Sequence, residues 1–239
     1  MQKMIVTIQQ PEHLPWIGFF NKMVQCDKFV LLDHVQFKKN YFENRNRIKT
    51  ANGPIWITVP VKLKGKFGQS MLEVEIDQVE KWKKRYLKTL EQNYRKAPFW
   101  EDIHKIVWPV FDDESSKLFE INIRLIEGLA EYLQIKTPLV RSSTLELGSA
   151  RKQDLVIAIC KEMSADIYVS GPDGRNYLNL ADFSFAGIRV AYHDFFCPDY
   201  PQLYGSFVSH LSVLDLIANM GKNSAAFIKN CYEIPQIKD

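Results

Sequence analysis

The chain has only four cysteines in 239 residues, and none of them forms a C-x-x-C pair. A disulfide framework and a structural zinc site are therefore not what holds it together. Cys26 and Cys160 fall in apolar helical stretches, where buried free thiols are common. The five histidines show no i, i+4 pairing and none neighbours a cysteine at ligand spacing, so no metal site is expected. There is no Walker A sequence and no G-x-G-x-x-G, which removes two familiar phosphate-binding loops. No serine sits in a G-x-S-x-G elbow, and no Ser/His/Asp triad follows from the pattern. No apolar run approaches the roughly 18 residues of a membrane span, and no secretory leader is recognisable. A cytoplasmic protein is expected. Internal repeats and low-complexity segments are also missing.

What is present suits a folded core: 46% hydrophobic and 13% aromatic residues, with an ordinary 25% charged. The net charge is +3, but unevenly placed. Residues 38–66 hold eight bases (Lys38, Lys39, Arg45, Arg47, Lys49, Lys62, Lys64, Lys66) and one acid, Glu43, so this stretch carries +7 and the rest −4. Such a segment is either a solvated basic loop or a surface for an anionic ligand.

Hydrophobic periodicity organises the chain around residues 4–37. Met4 to Ile8 reads as a strand, Ile17 to Val24 as an apolar helix, and Phe29 to Leu32 as a second strand: one βαβ unit. Residues 38–53 read as a polar excursion closed by Asn52-Gly53. Ile55 to Val61 and Met71 to Ile76 alternate, which predicts a small β-hairpin insert. From Val79 to Leu133 the period lengthens to three or four, predicting a helical block: 79–94, a short helix stopping near Pro109, and 116–133. Strand and helix then alternate again: strands at 138–141, 166–169 and 188–192, helices at 150–164 and 180–185, and a last helix at 213–220. This pattern predicts a single α/β domain over residues 1–239, with a Rossmann-like, mostly parallel sheet, helices on both faces and a helical insert at 79–133.

Ligands of such sheets lie at the carboxyl ends of the strands. That rule gathers Gln10 and His13 after the first strand, and Asp33 and Gln36 after the second. We assign these four to the reacting centre: imidazole titrates near working pH, and a strand-end carboxylate can serve as base or hydroxyl acceptor. Arg45, Asn46 and Arg47 offer planar forks for a phosphate or carboxylate. Ser142, Ser143, Ser170 and Gly171 are small residues after strands, where backbone N–H groups approach an anion closely. Asn176 and Tyr177 complete the opposite wall. The basic stretch has aromatics nearby, yet strand-end loops suit a small molecule better than nucleic acid.

The segments QPEHLPWIGFFNKM, DKFVLLDHVQF, NRNRIKTANGPIWITVPV and DIYVSGPDGRNYL closely resemble the WbqC-like family, and the likeness runs over almost the whole chain. The family commonly carries His at the position of Gln9 and often Tyr at that of His13. The resemblance implies a bacterial protein of O-antigen or other surface-polysaccharide (lipopolysaccharide) biosynthesis, transferring glycine or another aminoacyl group onto an amino sugar. In outline the opening is also similar to the HxGH nucleotidyltransferases, whose amide-forming members include pantothenate synthetase. His13 matches their first histidine, Trp16 stands in place of the second, and Arg141-Ser142-Ser143-Thr144 resembles their later ISSTxxR loop without its arginine. The implied function is an N-acyl or aminoacyl transferase, or an amide ligase with ATP as candidate cofactor. Its partners would be a nucleotide-linked amino sugar and an amino acid, or charged tRNA as donor. A non-catalytic sugar-nucleotide or assembly protein and a nucleotidyltransferase-like enzyme are the alternatives.

Overall fold

The structure is a computed structural model that describes residues 3–112 and 115–237. The chain opens with β1 (Ile5–Gln9), α1 (Ile17–Val24) and β2 (Lys28–Leu31), the βαβ unit expected from its periodicity. An antiparallel hairpin, β3 (Arg45–Thr50) and β4 (Gly53–Thr58), follows. The helical block consists of α2 (Val79–Tyr94), α3 (Trp100–Phe111) and α4 (Leu118–Tyr132). Then come β5 (Leu139–Arg141), α5 (Lys152–Glu162), β6 (Ile167–Ser170), α6 (Leu180–Phe185), β7 (Arg189–Tyr192), α7 (Val213–Met220) and α8 (Asn223–Asn230).

Five strands form one sheet in the order β5-β2-β1-β6-β7, every neighbouring pair parallel. Parallel strands need cover on both faces, and the side-chain alternation supplies it. Phe29 and Leu31 point into a large core with Phe19, Phe20 and Met23 of α1 and the buried stripes of α2, α3, α4 and α7. Val6, Ile8, Val30 and Tyr168 point the other way, onto Leu155, Ile159 and Cys160 of α5 and Phe183 of α6. From β1 the chain steps outward through β2 to β5, then returns to build β6 and β7 on the other side. The order therefore reverses between β1 and β6, where Thr7 Oγ1 donates to Val169 O at 2.8 Å.

The hairpin differs from expectation. Residues 45–50 form a strand rather than a loop, because Asn46 and Ile48 turn inward while the terminal segment closes over Lys49. Met71–Glu73 is a 3-10 turn instead of a strand, tied by a Ser70/Glu73 capping box, and a single bridge, Val61 to Ile76, remains of the pairing expected there. The helix expected to stop near Pro109 runs on to Phe111, with Pro109 inside its last turn and without the N–H that would bond the carbonyl of Lys105. Helix α8 has too short an apolar period to stand out, and the sequence reading passed over it. No helix among the described residues is long and apolar enough to cross a membrane.

Candidate active site at the β1–β6 switch point

The loop after β1 turns sharply at Leu14, whose φ of +44° lies in the left-handed region. Its polar residues are drawn inside rather than left in water. Glu12 is 7% exposed and His13 is fully buried. Helix α1 is apolar on nearly every side, so its two polar residues, Asn21 and Lys22, are buried with the rest. Side chains on a helix lean toward its amino end, which sends the Lys22 ammonium back to the carboxyl edge of the sheet. There Lys22 Nζ donates to Gln9 Oε1, and Gln9 Nε2 donates to Glu12 Oε1 at 2.9 Å. Gln9 thus stands between the base and the acid.

Burial pushes the Glu12 carboxyl up to about 7 although Lys22 pulls the other way. Burial likewise brings the Lys22 ammonium down to about 8 against the pull of Glu12. A second carboxyl, Glu43, is 1% exposed and raised by burial to about 7. Three oxygens of this pair, Glu12 Oε2 and both of Glu43, have no hydrogen-bond partner. Buried polar atoms are rarely left so, which sets this pair of carboxyls apart from the satisfied groups around it. Glu12 feels the negative charge of Glu43, and the Tyr41 hydroxyl feels Asp173, Glu12 and Glu43 together. Three chain-distant segments, the loop after β1, helix α1 and the connection before β3, therefore meet in one polar cluster: Lys22 reaches Glu12 through Gln9, and Phe42 O, next to Glu43, accepts from His13 N at 2.8 Å.

The remaining residues singled out from the sequence occupy varied places. His13 Nδ1 lies 2.8 Å from Asn122 Oδ1, and Nε2 lies 2.5 Å from the Tyr86 hydroxyl. Asn122 Nδ2 already donates to Pro11 O and Glu43 O, so its oxygen accepts. Nδ1 therefore carries the proton and Nε2 accepts from Tyr86. Burial holds this imidazole down to about 4, and it stays neutral as a clasp on its loop. Asp33 sits in a cage: it accepts from Ser142 Oγ at 2.9 Å, Ser143 N at 2.8 Å, Ser143 Oγ at 2.7 Å and Arg141 Nε at 2.9 Å. Burial works to raise its pKa, but the bonds from Ser143, Arg141 and Ser142 outweigh this and hold it below the usual carboxylate range. Ser142 and Ser143 are thereby turned inward onto Asp33, and His34 Nδ1 joins Ser142 Oγ at 2.7 Å. Gln10 is half-buried, and Gln36 is exposed and bridges to Ser70.

The expected three-residue anion clamp is divided. Asn46 Nδ2 donates to Leu14 O at 2.8 Å, and Arg47 Nη2 donates to Ser209 O at 3.1 Å and His210 O at 3.2 Å. Of the three, Arg45 lies with its guanidinium 4.2 Å over the Trp56 ring. On the opposite wall Ser170 is buried and Gly171 half-buried, while Asn176 and Tyr177 are exposed. Gly174 is required here, since a Cβ at that position would lie 2.1 Å from Ser170 Oγ. His193, at the end of β7, donates Nε2–H to Asn21 Oδ1 at 2.8 Å and is driven down to about 3 by burial and by Lys22.

Glu12, Lys22 and Glu43 were not among the residues chosen from the sequence. Two of them carried a signal: Lys22 is a lysine inside the apolar helix IGFFNKMV, and Glu43 is a lone acid among eight bases. No group of three or more His, Cys, Asp or Glu among the described residues is arranged to hold a metal ion.

Taken together, these features define a mixed α/β protein with a parallel sheet and a buried acid–base pocket where the strand order reverses. The chain belongs to the WbqC-like protein family, whose model matches residues 10–227. It is similar to the uncharacterized protein Rv1507c of Mycobacterium tuberculosis (strain ATCC 25618 / H37Rv), 36% identical over 228 residues, covering 95% of this chain and 98% of that one. No solved structure matches it.

Proposed function

We propose that this protein is an enzyme that forms an amide on the amino group of a nucleotide-linked amino sugar during surface-polysaccharide (O-antigen) assembly. The acyl donor is an amino acid or a similar carboxylic acid in activated form. The observation that carries the reading is the Glu12–Glu43 pair, two buried carboxyls with three unpartnered oxygens and pKa values raised to about 7. An ammonium group has three donors and no acceptor, the complement of those oxygens. The strand order supports a Rossmann-like sheet, whose nucleotide ligands lie at such a reversal.

In the proposed step the bound ammonium gives a proton to Glu12, and the freed nitrogen lone pair attacks the acyl carbonyl. A new C–N bond forms, the bond from carbonyl carbon to leaving group breaks, and the second amine proton departs with the leaving group. A base near pH 7 performs this transfer with little driving force lost in either direction. Lys22, positioned through Gln9, sets the charge balance of the pocket, so that Glu12 ionises without a full uncompensated negative charge. His13 and Asp33, first considered as reacting groups, here position the two loops.

The test is product formation, followed by mass spectrometry, with nucleotide-linked amino sugars, glycine or another amino acid, and ATP, an acyl carrier or charged tRNA as donor system. Amide with AMP assigns an ATP-dependent ligase, and amide only with a pre-charged donor assigns a transferase. Glu12→Gln lowers the rate about 100-fold or more, the usual loss for a removed general base. Binding of the sugar nucleotide without amide under every donor overturns the enzymatic reading in favour of a binding protein.

A further inference from the structure

We propose that the rings of Tyr41, Phe42 and Trp56, together with Arg45 and Lys38, form the subsite for the nucleoside diphosphate end of the substrate. The identity of the ligand rests on the sugar-nucleotide reading above; the architecture of the subsite does not. The three rings follow one another, with Tyr41 and Phe42 centroids 5.3 Å apart and Phe42 and Trp56 centroids 6.0 Å apart. Tyr41 is 47% and Trp56 44% exposed, so both leave large aromatic area in water. Cations accompany both ends: the Arg45 guanidinium stands over Trp56, and Lys38 Nζ lies 5.4 Å from the Tyr41 centroid.

Four neighbouring bases are already engaged. Lys49 Nζ donates to Gln202 Oε1 at 2.9 Å and Ser206 O at 2.6 Å, and Lys62 and Lys66 pair with Glu75 at 2.9 Å each. Arg45 and Lys38 form no ion pair with a carboxylate among the described residues, and Arg45 Nε is a buried donor without a partner. A planar base stacks on an exposed ring, and a stacked guanidinium presents its N–H edges to phosphate oxygens. The platform adjoins the Glu12 loop, because Phe42 O accepts from His13 N at 2.8 Å and Glu43 follows Phe42 directly. A sugar bridging base-side phosphate and amine would span from one to the other. That continuity favours a small molecule with an anionic end at Arg45 and an amine at the carboxyls over a protein or lipid surface, which would leave the buried carboxyls uncovered.

Calorimetry on the full chain with UDP, dTDP, ADP, GDP and inorganic pyrophosphate decides the matter. At least one nucleoside diphosphate binds more tightly than pyrophosphate, quenching tryptophan emission. Trp56→Leu or Tyr41→Leu weakens that binding about tenfold or more, and Trp56→Phe retains most of it. Arg45→Ala weakens pyrophosphate and nucleotide alike and flattens the salt dependence. Absence of nucleoside diphosphate binding, or equal affinity in both leucine variants, overturns the platform. Failure here is separable from failure of the amide reading. Amide formed with the same KM for sugar nucleotide in Trp56→Leu removes the platform alone, whereas ring-dependent nucleotide binding with no amide product removes the chemistry alone.

Discussion

Glu12 has a cation within electrostatic reach and still keeps its proton to about pH 7, because the desolvation cost of its charge exceeds the attraction of Lys22. In the unfolded chain the same carboxyl titrates at its ordinary 4.5. Between those values the native state holds a proton that the unfolded state has lost. Its contribution to stability is therefore largest below the unfolded pKa and falls as pH rises through the folded one. The buried His13 and His193 run the opposite way, since both are depressed and the unfolded chain binds protons there below about 6.5. Their slopes cancel much of the Glu12 effect in the wild type, so the difference between two variants is the cleaner quantity. Glu12→Gln is expected to gain about 2 kcal/mol on the wild type between pH 5 and pH 8, read as a widening gap in melting temperature. A gap that stays constant with pH would mean that Glu12 is ionised throughout. At this scale the sequence was hardest to read. Whether a charged side chain faces water or a core depends on contacts made across the fold, and nothing local in Q-Q-P-E-H tells Glu12 from Gln10.

At the scale of elements, the site is held from behind by two helices of the block. Tyr86 of α2 and Asn122 of α4 grip His13, and Asn122 alone links Pro11 O at 2.9 Å, Glu43 O at 2.7 Å and His13 Nδ1. The amide therefore fixes the spacing between the two segments that carry the carboxyls. Asn122→Ala leaves three buried polar groups unpaired, at about 1–3 kcal/mol each before relaxation. A loss of about 3 kcal/mol in urea unfolding is expected, together with a fall in amide formation larger than the stability loss explains at temperatures where the variant is folded. A variant as stable as the wild type would show that the loops hold each other without α4. The helices themselves were legible: Trp82, Tyr86, Leu90 and Tyr94 recur at helical spacing, and all are buried as that spacing requires. Their role behind the site was not, because His13 and Asn122 lie 109 residues apart. The hairpin was misread for a related reason. RNRIKT looks like a solvated loop until Tyr94 Oη accepts from Lys49 N at 3.0 Å and the carbonyls of 205 and 206 cover its ammonium.

Across the whole molecule, alternation of strand and helix was enough to foresee a parallel sheet, since crossover geometry follows from chain order. It was not enough to foresee an electrostatic field. The +7 stretch reads as an anion-attracting surface, yet Arg47, Lys49, Lys62 and Lys66 are consumed by carbonyls and by Glu75, and of the other four only Arg45 and Lys38 are placed over rings. The polar pocket at the β1–β6 reversal also competes with other hollows. One of about 480 Å³ lies by the amino end of β7, bounded by Leu180, Ser184, Gly187 and Arg189. It is open and lacks buried unpartnered groups, so size alone is a poor guide to the site. Hydrogen exchange distinguishes the two. A sugar nucleotide that spans the platform, the Glu12–Glu43 cluster and the turn after β6 slows exchange in residues 9–13, 36–45 and 171–177 together and leaves 184–190 unchanged. Protection confined to 184–190 would move the ligand to the far end of β7 and strip Glu12 and Glu43 of the amine assigned to them.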